Sequence, residues 1–338
     1  MKAVICNNPG SLSLEKRHKP DHSPGNALLR MTRLGVCGTD LHAFAGRQPF
    51  FSYPRILGHE IAAEVVGVDT NKEGLQAGDQ VAVVPYIACG SCIACRSGRS
   101  NCCVNMNVLG VHSDGGMREY LSVPTGQLVK HDGLSLDQLA LSECFAIGAH
   151  AVRRAQIKPG EQVLVIGAGP IGLGVMQFAR LAGGSVLAMD ISEERLDFAA
   201  TQVSLAGTIT AGQQDVREII ETATGGDYPT LIFDATGNAR SMMDAFLYLA
   251  HGGRYVLVGL VNADISFSDP EFHKRETTLL SSRNATIDDF RWVMESMASN
   301  EVSVESLISH RCSLAETADS FSHWTKPEAG VIKAVIEF

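Results

Sequence analysis

Four cysteines crowd into fifteen positions: Cys89, Cys92, Cys95 and Cys103, with Cys102 beside the last. Thiolates at this spacing can satisfy one tetrahedral Zn²⁺. A set of buried free thiols is the plainer alternative, and an iron–sulfur cluster is the second rival. The bacterial ferredoxin run closes with three residues and then Cys-Pro. Here the last gap is seven residues and no proline follows Cys103. Zinc is therefore the expectation, and the residues alone leave Cys102 open against Cys103.

Three further segments carry residues of the catalytic-zinc kind: Gly35-Val-Cys37-Gly-Thr39-Asp40-Leu-His42, Gly58-His59-Glu60 and Ser142-Glu143-Cys144. A catalytic zinc takes three Cys, His or carboxylate ligands and leaves one position for water or substrate. Cys37 and His59 fit, completed by Glu60 or Glu143. Singly, Cys37 could be a core thiol, His59 a hydrogen-bonded core histidine and Glu143 a carboxylate at a helix start. A third chemistry-bearing run is Gly167-Ala-Gly169-Pro170-Ile171-Gly172, which follows the apolar run VLVI. Its glycines suit a tight turn, close approach of backbone to a pyrophosphate, and close helix–sheet packing. Unpaired N–H groups at the helix start favour the phosphates. Asp190 lies 23 residues after Gly167, where a carboxylate accepts from the ribose hydroxyls and repels a 2′-phosphate. NAD is thus expected over NADP. Arg195 is a candidate for the adenine face, and Thr236 and Gly259 end later strands, where the ligand crevice of such a sheet lies.

These residues need two kinds of scaffold. The chain has 338 residues, 45% of them hydrophobic and 19% charged, enough for two cores in a soluble balance. A net charge of −9 argues against a nucleic-acid partner. No apolar stretch reaches a membrane span, and MKAVICNNPG lacks a signal-peptide pattern. A cytoplasmic protein with reduced thiols is expected. To about residue 145 the chain reads as short β runs between turns, at 27–36, 60–68 and 80–85, suggesting a small barrel or sandwich. After Pro159-Gly160, strands at 163–166, 186–190, 230–234, 254–259 and 277–280 alternate with helices from about 170 and 193 and near 239–250 and 286–298. That alternation implies a parallel sheet covered on both faces. The closing GVIKAVIEF reads as a strand returning to the first domain.

In its GVCGTDLH, GHE, four-cysteine and GAGPIG segments, and in their order, the chain resembles the medium-chain, zinc-dependent alcohol and polyol dehydrogenases over essentially its whole length. The resemblance implies a GroES-like barrel catalytic domain (1–145 and 300–338) carrying both zinc sites. Between its parts it implies a Rossmann domain with a doubly wound parallel sheet (146–299). It places Cys103, rather than Cys102, in a structural zinc lobe, and Asn284 with the cofactor residues. It implies a catalytic zinc acting as Lewis acid on the substrate hydroxyl and hydride transfer to NAD. Thr39 and His42 would relay the alcohol proton, and Asp40 would orient His59. Either Glu60 or Glu143 would be the third ligand. Ala63, Asp69 and Cys144 depart from the family pattern, and none removes a ligand. A homodimer or homotetramer is implied.

The runs at 48–54 and 268–284 look like those of the bacterial sugar-acid members, the L-galactonate and L-gulonate 5-dehydrogenases, which oxidise a hexonate to the keto acid. A substrate carboxylate wants a cation. Arg283, His112 and Lys274 are the candidates, with Phe50 and Phe51 as pocket or core. L-threonine or sorbitol-type polyol oxidation in the same site is the competing expectation, and a non-catalytic zinc- and nucleotide-binding protein is the reading from another class.

Overall fold

The computed structural model describes residues 1–48, 51–212 and 215–338. Contacts divide them into two compact units, Met1–Cys144 with Ala285–Phe338, and Phe145–Asn284. The helix Ile287–Ala298, expected in the nucleotide domain, thus groups with the first unit, where it packs beside the strand Leu128–Lys130.

The first unit is built on a seven-stranded sheet. Its path runs Ile308–Ser313, Lys333–Glu337, Asn26–Val36, Glu60–Val68, Gln80–Val83 and Leu128–Lys130, with Tyr120–Pro124 also pairing to Asn26–Val36. Alternation along Asn26–Val36 sends Ala27, Leu29, Met31 and Leu34 into the core, the period-2 pattern of a strand packed on one face. The C-terminal strand lies antiparallel to Asn26–Val36, opposing Ala334 to Val36. A two-stranded piece, Tyr86–Ile87 with Asn107–Val108, brackets the cysteine run.

In the second unit six parallel strands lie in the order Gly207–Thr210, Ser185–Asp190, Gln162–Ile166, Leu231–Asp234, Arg254–Leu257, Thr278–Ser281. Their runs QVLVI, SVLAMD and LIFD are apolar almost throughout and buried, as expected of strands covered on both faces. The order reverses between Gln162–Ile166 and Leu231–Asp234. That is the switch point of a doubly wound sheet, where ligands bind beyond the carboxyl ends of the strands. Gly207–Thr210 and the helix Val216–Ala223 were not foreseen: four residues with two threonines carry little periodicity.

Candidate active site

Gly38–Phe44 is a helix of seven residues opened by Cys37, and His59-Glu60 leads into the strand Glu60–Val68. Asp40 ties the two segments together. One carboxylate oxygen accepts from the Cys37 N–H at 2.9 Å and the other from the Gly58 N–H at 3.0 Å. Ligand atoms of Cys37, His59 and Glu60 consequently lie within 4.8 Å of one another. Gly35 faces Glu60 across the strand pair, and a Cβ at Gly35 would fall on the Glu60 carboxylate. The absent side chain is what leaves that carboxylate room.

The electrostatics of this pocket ask for a cation. His59, Glu60, Asp40 and Glu143 are all buried. Burial works against a charged imidazole, yet Asp40, Cys37 and Glu143 together raise His59 well above its ordinary value. Burial pushes Glu143 up to about 6, with His59 pulling it down and Glu60 pushing it up. Burial likewise raises Asp40. More acids than bases meet out of water, which a divalent ion would offset. The donor set of one thiol, one imidazole and carboxylate suits zinc with an open position.

The site differs from the sequence reading in several details. Asp40, expected to orient His59, sets Oδ1 3.7 Å from Nδ1, at ion-pair distance. That nitrogen has no hydrogen-bond partner, because the carboxylate is engaged by two backbone N–H groups. Glu143 was weighed as a helix-start residue and sits instead well inside the helix Leu136–Ala155. It lies outside the group formed by Cys37, His59 and Glu60 and accepts a hydrogen bond from the buried Tyr86 hydroxyl. Burial and then the Glu143 carboxylate raise the Tyr86 phenol far above its usual range, so it stays a donor. The Cys144 thiol turns to its own helix, donating to Leu141 O at 3.3 Å.

Lys333 and Tyr86 escaped the sequence reading. Lys333 Nζ donates to both oxygens of Glu60, at 2.6 and 2.9 Å, and to Val36 O at 3.3 Å. Burial opposes its charge, and Cys144, Glu60 and Cys37 outweigh that. A lone lysine inside the apolar run VIKAVIEF was the available signal.

Thr39 is half-buried and His42 exposed, three residues apart on one helix and so on one face. Partial shielding and then the Arg47 cation lower the His42 value.

The cysteine lobe shows the same logic at the surface. Cys89, Cys92, Cys95 and Cys103 offer sulfurs within 4.8 Å of one another, while Cys102 stands exposed outside the group. Cys92 Sγ lies 3.5 Å from Cys95 Sγ and 3.9 Å from Cys103 Sγ. Four sulfurs about 2.3 Å from a tetrahedral zinc would be about 3.8 Å apart. The Cys89 N–H points at Cys103 Sγ at 3.2 Å and the Val104 N–H at Cys92 Sγ at 3.5 Å. Backbone and hydroxyl donors of Ser91 bring Cys89 down to about 5, whereas desolvation and the neighbouring sulfurs push Cys95 up to about 12.

In the second unit Gly167, Gly169, Asp190, Arg195 and Thr236 line one cavity of about 1020 Å³ at the switch point. Gly167 has φ of +99°, and a Cβ on Gly172 would overlap the Gly167 carbonyl. Gly169 needs neither explanation: its φ is −78° and a Cβ there would meet nothing within 4 Å. That open space lies over the start of the helix Pro170–Leu181, with Pro170 at its first position. A pyrophosphate fits such a cradle. Asp190 is held by N–H groups of Ala168 at 2.6 Å and Ser192 at 2.9 Å, which leaves two of its four lone-pair sites. Thr236 donates to Asp234 at 2.6 Å. Ile171 and Gly172 lie within the same helix, Gly259 packs on Gly237, and Asn284 takes φ of +53° at the end of the unit. None of these four positions, nor Pro170, lines the cavity.

The carboxylate candidates are divided between the two units. Lys274 is exposed and pairs with Glu271 at 2.7 Å, so its charge is already met. Arg283 is exposed at the surface of the second unit. His112, in the first unit, accepts from the Val108 N–H through Nδ1 at 3.0 Å. Phe51 packs edge-on to Tyr53, 4.8 Å between centroids, against the first unit's core. Phe50 lies outside the described residues.

Residues 23–133 match the alcohol dehydrogenase GroES-like domain and residues 170–299 the zinc-binding dehydrogenase domain. The chain is 45% identical over 338 residues to the L-galactonate-5-dehydrogenase of Escherichia coli K12, covering 100% of this chain and 99% of that one. Among solved structures, a dehydrogenase of Escherichia coli CFT073 in complex with NADH superposes with a TM-score of 0.93 at 30% identity, covering 100% and 99% of the two chains. A zinc-binding dehydrogenase of Sinorhizobium meliloti bound to NADP gives 0.92 at 28%, again over 100% and 99%. With both domains matched, and likeness running end to end, the chain belongs to the zinc-binding alcohol dehydrogenase family.

Proposed function

We propose that the protein oxidises one secondary hydroxyl of a hexonate, of the L-galactonate or L-gulonate kind, to the keto acid with NAD as acceptor. The observation that carries the substrate class is the 45% identity, spread over the entire length, to a dehydrogenase of L-galactonate. When bound, zinc would supply Lewis acidity at the substrate hydroxyl and NAD would accept the hydride. Cys37 and His59 hold the metal, with Glu60 the carboxylate nearest them. Thr39 Oγ1 takes up the alcohol proton and the His42 imidazole hands it to solvent. The exposure of His42 and its lowered value suit that exit. Asp40 fixes Cys37 against Gly58 and hence the spacing of the ligands. Gly167, Gly169 and Gly172 shape the pyrophosphate cradle. Asp190, which lines the cavity, would accept from the ribose hydroxyls and favour NAD over NADP. Cys89, Cys92, Cys95 and Cys103 hold a second, structural zinc.

The nine cysteines, all free of disulfides, support a reducing, cytoplasmic setting. The edge strand Thr278–Ser281, with Leu279 exposed, supports a homo-oligomer joined at that edge.

The test is NADH formation across L-galactonate, L-gulonate, D-gluconate, sorbitol and L-threonine, with and without a chelator. Turnover of a hexonate that is lost on chelation and restored by Zn²⁺ is the expected result. Turnover of sorbitol or threonine alone would overturn the substrate class, and turnover indifferent to metal would overturn the mechanism. In a responsive enzyme, Arg283→Ala is expected to raise KM for the hexonate with little change in kcat.

A further inference from the structure

The two metal sites of the first unit are joined by a short run of chain. Cys89 follows the strand Tyr86–Ile87 and Cys103 precedes Asn107–Val108, and these two strands pair, Tyr86 opposite Val108. The lobe therefore closes the loop whose base carries Tyr86. Gln127 clamps the same base: its side-chain amide donates to Val84 O at 2.8 Å and to Tyr86 O at 3.0 Å. From that base the buried Tyr86 hydroxyl reaches Glu143, whose buried carboxylate interacts electrostatically with His59 and Glu60. One of the two Glu143 oxygens is thus committed to a group whose position the lobe sets.

We propose that Tyr86 is a positioning residue that couples the four-cysteine lobe to the catalytic metal site, by holding the Glu143 carboxylate from a strand that the lobe metal closes. This rests on reading Cys37, His59 and Glu60 as the catalytic metal site. Cobalt(II) titration of the metal-free protein tests that reading separately, since one four-sulfur site and one mixed-donor site per chain give distinct visible bands. Outer partners of metal ligands are typically worth 10–100-fold in metal affinity. A phenylalanine keeps the ring in place and removes only the donor.

The experiment compares Tyr86→Phe, Cys92→Ser and the double variant by cobalt(II) absorption and by competition for metal at the mixed-donor site. Tyr86→Phe is expected to shift the mixed-donor band and weaken that site by about 10–100-fold, leaving the four-sulfur band unchanged. Cys92→Ser is expected to move the mixed-donor band in the parent chain and to add little in the Tyr86→Phe background. Should Cys92→Ser fail to fold, Gln127→Ala carries the same comparison without touching a cysteine. An unchanged band and affinity in Tyr86→Phe would overturn the positioning role. Equal effects of the lobe variant in the two backgrounds would overturn the coupling.

Discussion

Lys333→Met isolates the buried cation behind the metal site. The lysine and Glu60 side chains are 3% and 0% exposed, with Nζ 2.6 Å from the nearer carboxylate oxygen. Methionine matches the volume and removes the charge. Breaking one side of a buried pair costs about 3–5 kcal/mol, because the partner is left uncompensated. In a unit of this size that is a melting shift on the order of 10 °C. The full loss is expected only in the metal-free protein. Zinc at Cys37, His59 and Glu60 supplies the missing positive charge, so the variant should be destabilised less when loaded. By linkage it should also bind the metal more tightly than the parent chain does. Urea unfolding of parent, Lys333→Met and Lys333→Met with Glu60→Gln, each with chelator and with Zn²⁺, reads all three quantities. The double variant, having lost both charges, should recover most of the metal-free stability. An equal loss with and without zinc would refute the placement of Glu60 at the metal. A loss under about 1 kcal/mol in the metal-free chain would refute the burial argument itself.

Two glycines of the nucleotide turn should separate folding from binding. Gly172→Ala places a Cβ on the Gly167 carbonyl and is expected to lower both the melting temperature and coenzyme affinity. A Cβ at Gly169 meets no protein atom within 4 Å, so for Gly169→Ala calorimetry should find stability nearly unchanged while NADH fluorescence titration shows affinity falling at least about tenfold. Thr39→Val is expected to lower kcat by about 10²–10⁴-fold with both metals retained; wild-type turnover would remove it from the proton route. Burial raises Glu161, but the Lys158 N–H, Thr230 and Arg254 outweigh it and hold the carboxyl below its usual range. Its contribution is then complete above the unfolded value of about 4.3 and fades as pH falls through the lower folded value. Acid titration of stability should accordingly show Glu161→Gln weaker than the parent at neutral pH and converging with it below about pH 4.

What was legible in the sequence followed from residues whose function depends on near neighbours. The turn Gly167–Gly172 reads locally, since tight backbone, helix start and preceding strand are consecutive. The cysteine lobe reads for the same reason, and even its ambiguity was local. Cys102 ends a 3-10 turn at Ser100–Cys102 and stays exposed, while Cys103 leaves that turn extended and goes inward. The strands at 60–68 and 163–166 were legible because apolar residues dominate them, whereas the strand Gly207–Thr210 had no such pattern to offer.

The parts that stayed hidden are those where partners are brought together by topology. Lys333 meets Glu60 across 273 positions and Tyr86 meets Glu143 across 57. Both pairings exist because the C-terminal strand returns to Asn26–Val36 and because the helix Leu136–Ala155 carries Glu143 to the lobe base. Spacing could nominate Glu60 and Glu143 as rivals for one metal, but not say how they differ. The fold distinguishes them by counter-group. Glu60 faces a full positive charge that holds both its oxygens, and Glu143 faces a neutral donor that holds one. The Glu60 carboxylate has both oxygens taken by the buried ammonium, whereas Glu143, held by one phenol, is left with more lone-pair capacity and is pushed up to about 6, chiefly by burial. The two acids are therefore not interchangeable. Glu60 is pinned by Lys333 beside Cys37 and His59, and Glu143 is the acid whose share of the metal site can still be altered by how Tyr86 is held.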